Sequence, residues 1–166
     1  PGRSAACIAS KGVILCRMYS VSPSGLPGSP LAAGDYFLPM DEFPRGTVTF
    51  LATDIQGSTE MWERYPAAMP RALERHEHLL REAVETRGGR VFKNVGDGLF
   101  IAFSACPPAV DAALSAQRSL FGEEWPTPAP VRVRMALHSG HAEERAGDYF
   151  GPPVNRVARI LSAAGV

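Results

Sequence analysis

The pattern of apolar and polar positions divides the chain near Gly46. Before it, Pro23, Pro27, Pro30 and Pro39 are interspersed with serine and glycine and no period survives, so residues 1–45 read as a leader or linker with little fixed structure. Within that leader, Tyr36–Phe43 is a patch suited to docking on the domain as an entry segment. After Gly46, Thr47–Thr53 is rich in threonine and apolar residues and predicts a strand. Ser58–Tyr65 predicts a short helix. Met69, Leu73, Leu80 and Val84 mark one face of a helix over Ala67–Thr86, closed by Gly88-Gly89. Arg90–Asn94 and Leu99–Phe103 predict two strands joined across Gly96-Asp97-Gly98. Val110, Ala113, Leu114, Gln117, Leu120 and Phe121 recur at helical spacing over Pro107–Phe121, with proline in the first turn. Val131, Val133, Met135 and Leu137 then alternate with Arg132 and Arg134, as in a half-buried strand. Tyr149–Phe150 ends a further short strand, and Pro153–Ala163 begins a helix.

That order of elements predicts an α+β fold of the split βαβ kind, a mixed sheet with helices packed on it. Composition changes the picture little: 17 basic and 17 acidic side chains cancel, which argues against a general binder of nucleic acid. Any phosphate ligand must be held by local geometry. The three cysteines, Cys7, Cys16 and Cys106, show no metal-ligand spacing, and their odd count argues for a reducing, cytoplasmic setting. No apolar run approaches membrane-span length; Ala5–Cys16 mildly resembles a secretory apolar region but is interrupted by Lys11.

Three places carry candidate chemistry. Asp54 follows a strand and precedes Ile55, Gln56, Gly57, Ser58 and Thr59, which open a helix; such a turn favours phosphate, and an acidic neighbour suits an intervening divalent cation. Taken alone, Asp54 and Ser58 are better explained as capping groups. Asp97 has an ordinary role too, as the turn residue of an Asp-Gly hairpin. If that hairpin pairs beside the first strand, however, Asp54 and Asp97 face one another, and two such carboxylates call for a cation such as Mg²⁺. Asn155 and Arg159, four apart on the last predicted helix, project from one face, either as a plain polar surface or as ligands to a sugar and a phosphoryl charge. His76 and His78 are two apart on a helix and read as solvated surface; His138 and His141 read as structural.

Taken together, Phe50–Thr59, Lys93–Gly98 and Asp148–Arg159 resemble, in order and spacing, the class III adenylate/guanylate cyclase catalytic domain, over about Gly46 to Val166. The resemblance implies a ferredoxin-like βααββαβ core. It implies that Asp54 and Asp97 hold two Mg²⁺ or Mn²⁺ ions, that Ile55–Thr59 cradle phosphates, and that Lys93 and Asp148 read the purine edge. It further implies that Asn155 orients the ribose, that Arg159 stabilises the pentacovalent phosphate, and that each site is shared across a head-to-tail homodimer. Lysine with aspartate resembles the adenine-selective members, so ATP is the implied substrate and cyclic AMP the product. Guanine would satisfy the same two groups with donor and acceptor exchanged, so a guanylate cyclase stays open. The resemblance also makes residues 46–166 a domain incomplete at its C-terminus, since relatives continue past Val166 with a further strand pair and a basic residue. Two other readings stand beside the enzyme: a catalytically silent cyclase-homology module that dimerises or senses nucleotide, and a polymerase-like palm, against which the Asn155–Arg159 helix speaks.

Overall fold

The computed structural model of the chain describes residues 6–10, 13–17 and 43–164. Its elements run β1 (Ala6–Ser10), β2 (Val13–Arg17), β3 (Gly46–Ile55), α1 (Ser58–Arg64), α2 (Met69–Glu85), β4 (Arg90–Val95), β5 (Gly98–Phe103), α3 (Cys106–Gly122), β6 (Val133–Arg145), β7 (Asp148–Phe150) and α4 (Pro152–Ala163). From β3 onward every element matches the periodicity reading in kind and, mostly within two residues, in extent; the main exception is the strand at Val131–Leu137, which continues to Arg145.

Two expectations change. The strands are ordered β2-β1-β6-β3-β5-β4, with β7 on β6, and every pairing is antiparallel rather than mixed. The cause is topological. The helices α1 and α2 carry the chain from β3 to β4, but β5 inserts between those two strands; α3 carries it from β5 to β6, but β3 inserts there. Strands running the same way are therefore never neighbours. The second change lies in the leader. Ala6–Ser10 and Val13–Arg17 form a hairpin whose first strand pairs along Met135–His138 of β6, so that edge is not bare. The two apolar stretches flanking Lys11-Gly12 supply the strands, and an unpaired row of β6 backbone groups supplies the template. The rest of the leader reading, residues 1–5, 11–12 and 18–42, lies outside the described residues.

The sheet buries both faces. On one, Leu51, Ile55, Ile101, Phe103, Met135 and Leu137 meet α1, α2 and α3. The α3 side of this layer is alanine-rich, with Ala109, Ala112, Ala113 and Ala116 all fully buried, so that helix can approach closely. On the other face, Val48, Phe50, Ala52 and Ala136 meet Val157 and Leu161 of α4. Beside α4 an aromatic cluster completes the layer: Tyr149 stacks edge-to-face on Phe50 and Phe92, with centroids 5.1 and 4.9 Å away. Phe43, the last residue of the predicted docking patch, joins Tyr149 at 6.2 Å; the rest of that patch lies outside the described residues. The Tyr149 hydroxyl donates to the Pro44 carbonyl at 2.6 Å, and burial raises its pKa. This cluster anchors both the start of β3 and the short β7.

His76 corrects the surface reading. It is fully buried on α2, and among the described residues neither ring nitrogen has a hydrogen-bond partner. Burial pushes its pKa down to about 4, against an opposing pull from the Asp97 charge. The fold therefore holds the neutral imidazole. The stability this contributes is complete above the unfolded pKa near 6.5 and is lost as pH falls from there toward about 4, because the unfolded chain takes up the proton first. The loss amounts to about 3 kcal/mol. Chemical denaturation at pH 7 and pH 4 should show a smaller loss for His76→Leu than for the unmutated chain. Equal losses would mean that His76 titrates normally.

Candidate active site

The geometry starts at the carboxyl end of β3. The β4–β5 hairpin turns through Gly96 at φ 62°, the sign a II′ turn requires at its first central residue. A Cβ at Gly98 would lie 2.5 Å from the Thr53 carbonyl oxygen, so only glycine lets the turn come this close to β3. The Leu99 N–H donates to Thr53 Oγ1 at 3.1 Å and fixes the approach. Asp97 is thereby carried to the end of β3. Its Oδ2 accepts the Ile55 N–H at 3.0 Å, and its Oδ1 accepts the Ser58 hydroxyl at 3.3 Å. Asp97 is thus both the hairpin residue and the group that pins the turn leading into α1.

Asp54 lies next to Ile55 on β3, two positions beyond the buried Ala52 and so on the α4 face of the sheet. It is paired in register with Arg134 of β6, and their side chains form a part-buried ion pair. The structure therefore brings Asp54 and Asp97 to one strand end. Two carboxylates there suit a hard cation that keeps several waters. Among the described residues no group of three or more His, Cys, Asp or Glu converges, so other ligands to such an ion would be water or substrate oxygens.

Of the turn expected to cradle phosphates, part is already engaged. The Ile55 N–H serves Asp97, and the Gln56 N–H donates to the Arg132 carbonyl at 2.8 Å. What remains is Gly57, held in the left-handed region at φ 69°, with Ser58 and Thr59 in the first turn of α1. This narrows the cradle to Gly57–Thr59.

Lys93 and Asp148 meet directly. Lys93 Nζ donates to Asp148 Oδ2 at 2.7 Å, joining residues 55 apart in sequence. A β-bulge makes this possible. Val91 pairs Ile101 and Lys93 pairs Phe100, leaving Phe92 as the extra residue. Without it Lys93 would share the face of Val91; with it Lys93 joins Phe92 and Phe100 on the α4 face. The Lys93 ammonium holds the Asp148 carboxyl below its usual pKa, and the Tyr149 N–H adds to the effect. The two side chains are 42% and 30% exposed, where an ion pair stabilises by at most about 1 kcal/mol. The pair does not hold the fold together; the aromatic cluster beside it does.

Asn155 and Arg159 are not brought to the carboxylates. Pro153, Val157 and Leu161 are the buried stripe of α4. Asn155 and Arg159 stand exposed roughly half a turn away and project off the sheet. Arg145, in the β6–β7 hairpin, pairs with Glu143 on the surface. Two residues of interest escaped the sequence reading. Arg134 looked like the outward half of an alternating strand, and His76 like a helix surface; only a register and a packed layer identify them.

The comparisons with known proteins bear on the family and the fold. A sequence model of the family described as the adenylate and guanylate cyclase catalytic domain matches residues 40–165. An uncharacterized protein of Mycobacterium tuberculosis is 36% identical over 123 residues, 73% of this chain and 41% of its own length. An adenylate cyclase of Schizosaccharomyces pombe is 30% identical over 146 residues, 73% of this chain and 9% of its own length. The chain thus spans well under half the length of these relatives. Among solved structures, an adenylate cyclase from Trypanosoma brucei superimposes with a TM-score of 0.68 at 24% identity, covering 74% of this chain and 72% of that one. An adenylate/guanylate cyclase/hydrolase from Silicibacter pomeroyi gives 0.63 at 28% identity, covering 70% of each chain. The chain belongs to the adenylate and guanylate cyclase catalytic-domain family, the class III nucleotide cyclases.

The two carboxylates differ in how they are held, and that difference is measurable. Asp97→Ala removes the acceptor of the Ile55 N–H and should speed amide exchange at Ile55, costing about 1–3 kcal/mol of stability. Asp54→Ala should leave exchange at Ile55 nearly unchanged, since Asp54 bonds a side chain. Equal protection in Asp97→Ala and the unmutated chain would show that Asp97 does not anchor the turn.

Proposed function

We propose that this domain is an adenylate cyclase that converts ATP to 3′,5′-cyclic AMP and pyrophosphate, at sites shared by two copies arranged head to tail, in a reducing cytoplasmic setting. The observation that carries the reading is the Lys93–Asp148 pair at 2.7 Å. It sets one donor beside one acceptor on an accessible surface. That pattern suits adenine, with N1 accepting from Lys93 and the exocyclic amine donating to Asp148. The named adenylate cyclase among the relatives supports the same substrate.

The chain's own groups divide the chemistry. Gly57–Thr59 would hold the phosphate tail, Lys93 and Asp148 the base, and Asn155 the ribose. The ribose 3′-oxygen then attacks the α-phosphorus, the bond to pyrophosphate breaks, and the 3′-hydroxyl proton is lost to solvent. Arg159 would neutralise charge on the α-phosphoryl oxygens as the phosphorus becomes five-coordinate. Asp54 and Asp97 would hold two Mg²⁺ or Mn²⁺ ions, which when bound favour the ionised 3′-oxygen and the departing pyrophosphate. Asn155 and Arg159 face away from the sheet that carries the carboxylates, which supports a site completed by a second copy. Among the described residues no helix is long and apolar enough to cross a membrane.

Shared sites predict complementation. Asp54→Ala and Arg159→Ala should each be inactive alone, because every homodimeric site then lacks one part. Mixed, they form heterodimers in which one site loses both parts and the other keeps both, so cyclic AMP should appear and rise with protein concentration. A silent mixture of folded, exchanging variants would refute the shared site. Base selection is tested separately. Lys93→Glu combined with Asp148→Cys should abolish the preference for ATP over GTP in product assays. Unchanged selectivity would show that the pair does not read the base.

A further inference from the structure

We propose that Arg134 is a built-in counter-cation for Asp54, which a divalent ion must displace before Asp54 can bind it. The inference rests on the reading of Asp54 as a metal ligand and adds a residue that controls access to it.

The two side chains face each other because β3 and β6 are antiparallel neighbours with Asp54 opposite Arg134. Both are part-buried, at 29% and 24% side-chain exposure, so water screens the pair only partly. The guanidinium reaches Asp54 through one Nη, whereas its Nε is buried with no hydrogen-bond partner among the described residues. Among the described residues Asp54 is the one acidic group paired with Arg134. Removing that carboxylate from it leaves a cation inside the sheet with its hydrogen bonding unmet, which is the costly way to break such a pair.

Asp97 differs in kind. Its contacts are neutral donors, a backbone N–H and a hydroxyl. They position the carboxylate, leave its charge uncompensated and leave lone pairs for a cation. At Asp54 a full positive charge already stands where a second would come, and two cations at contact distance repel. The strand end is thus asymmetric: Asp97 is positioned and open, whereas Asp54 is positioned and occupied. In consequence the protein by itself should hold free divalent ions weakly, and a cation gains Asp54 only by moving the Arg134 side chain.

The test is Mn²⁺ binding to the full chain without nucleotide, measured by electron paramagnetic resonance of the free ion. Arg134→Gln should bind Mn²⁺ at least roughly tenfold more tightly than the unmutated chain, since a pair at 24% and 29% exposure lies between the exposed limit of about fivefold and the roughly hundredfold or more of a fully buried one. Arg134→Lys keeps a positive charge and should stay weak. The gain should vanish in Asp54→Asn/Arg134→Gln. Arg132→Gln removes a neighbouring exposed charge that is not paired with Asp54 and should change affinity little. Equal affinity in Arg134→Gln and the unmutated chain overturns the proposal while leaving the cyclase reading intact, as does an equal gain from Arg132→Gln, which would indicate a diffuse field. No Mn²⁺ binding in any variant at millimolar concentration overturns the metal reading and this proposal with it. If Arg134→Gln does not fold, ¹⁵N-arginine spectra of the unmutated chain decide: the Arg134 guanidinium signal should move on Mg²⁺ titration, and a fixed signal overturns the exchange.

Discussion

The placement of both carboxylates at the candidate site depends on the register of β3 against its two antiparallel neighbours. That single alignment sets Asp54 opposite Arg134 on one side. On the other it brings the β4–β5 turn close enough for Asp97 to accept the Ile55 N–H. A slip of one residue would send Asp54 to the opposite face and remove Ala52 and Phe50 from the α4 layer. The register is held by burial on both faces, since Leu51 and Ile55 serve one layer and Phe50 and Ala52 the other. The chemistry therefore inherits its precision from the core.

The two carboxylates share a location but not a state. Asp97 is held by neutral donors and Asp54 by a cation. A third polar centre, Lys93 with Asp148, is set by a different device, a bulge that turns Lys93 onto the aromatic face. Arg134, Asp54, Lys93 and Asp148 thus come from four separate strands, and α4 adds Asn155 and Arg159 on a surface directed elsewhere. The candidate residues on the sheet and those on the helix do not meet within one described chain, and the proposed second copy is what would bring them together.

Much of this was legible in the linear pattern. Helical spacing placed α2 and α3, alternation placed the start of β6, and residue type and turn signals placed the other elements from β3 to α4. Residue type and spacing marked Asp54, Asp97, Asn155 and Arg159, and the resemblance of the three motif segments to the cyclase family added Lys93 and Asp148. The narrowing of the phosphate turn was not legible, because whether the Ile55 and Gln56 amides are free depends on Asp97 and on Arg132, which lie far along the chain.

The sequence by itself determined the elements, their order and the residues able to carry chemistry, since these follow from local periodicity and side-chain type. Tertiary structure decided the rest. It made the sheet wholly antiparallel, because inserted strands separate those running the same way. It buried His76, which shares its helix with surface residues and lies inward only because α2 packs there. It turned Arg134 from an outward strand position into the partner of Asp54, because a cross-strand partner is fixed by a register that no single strand encodes.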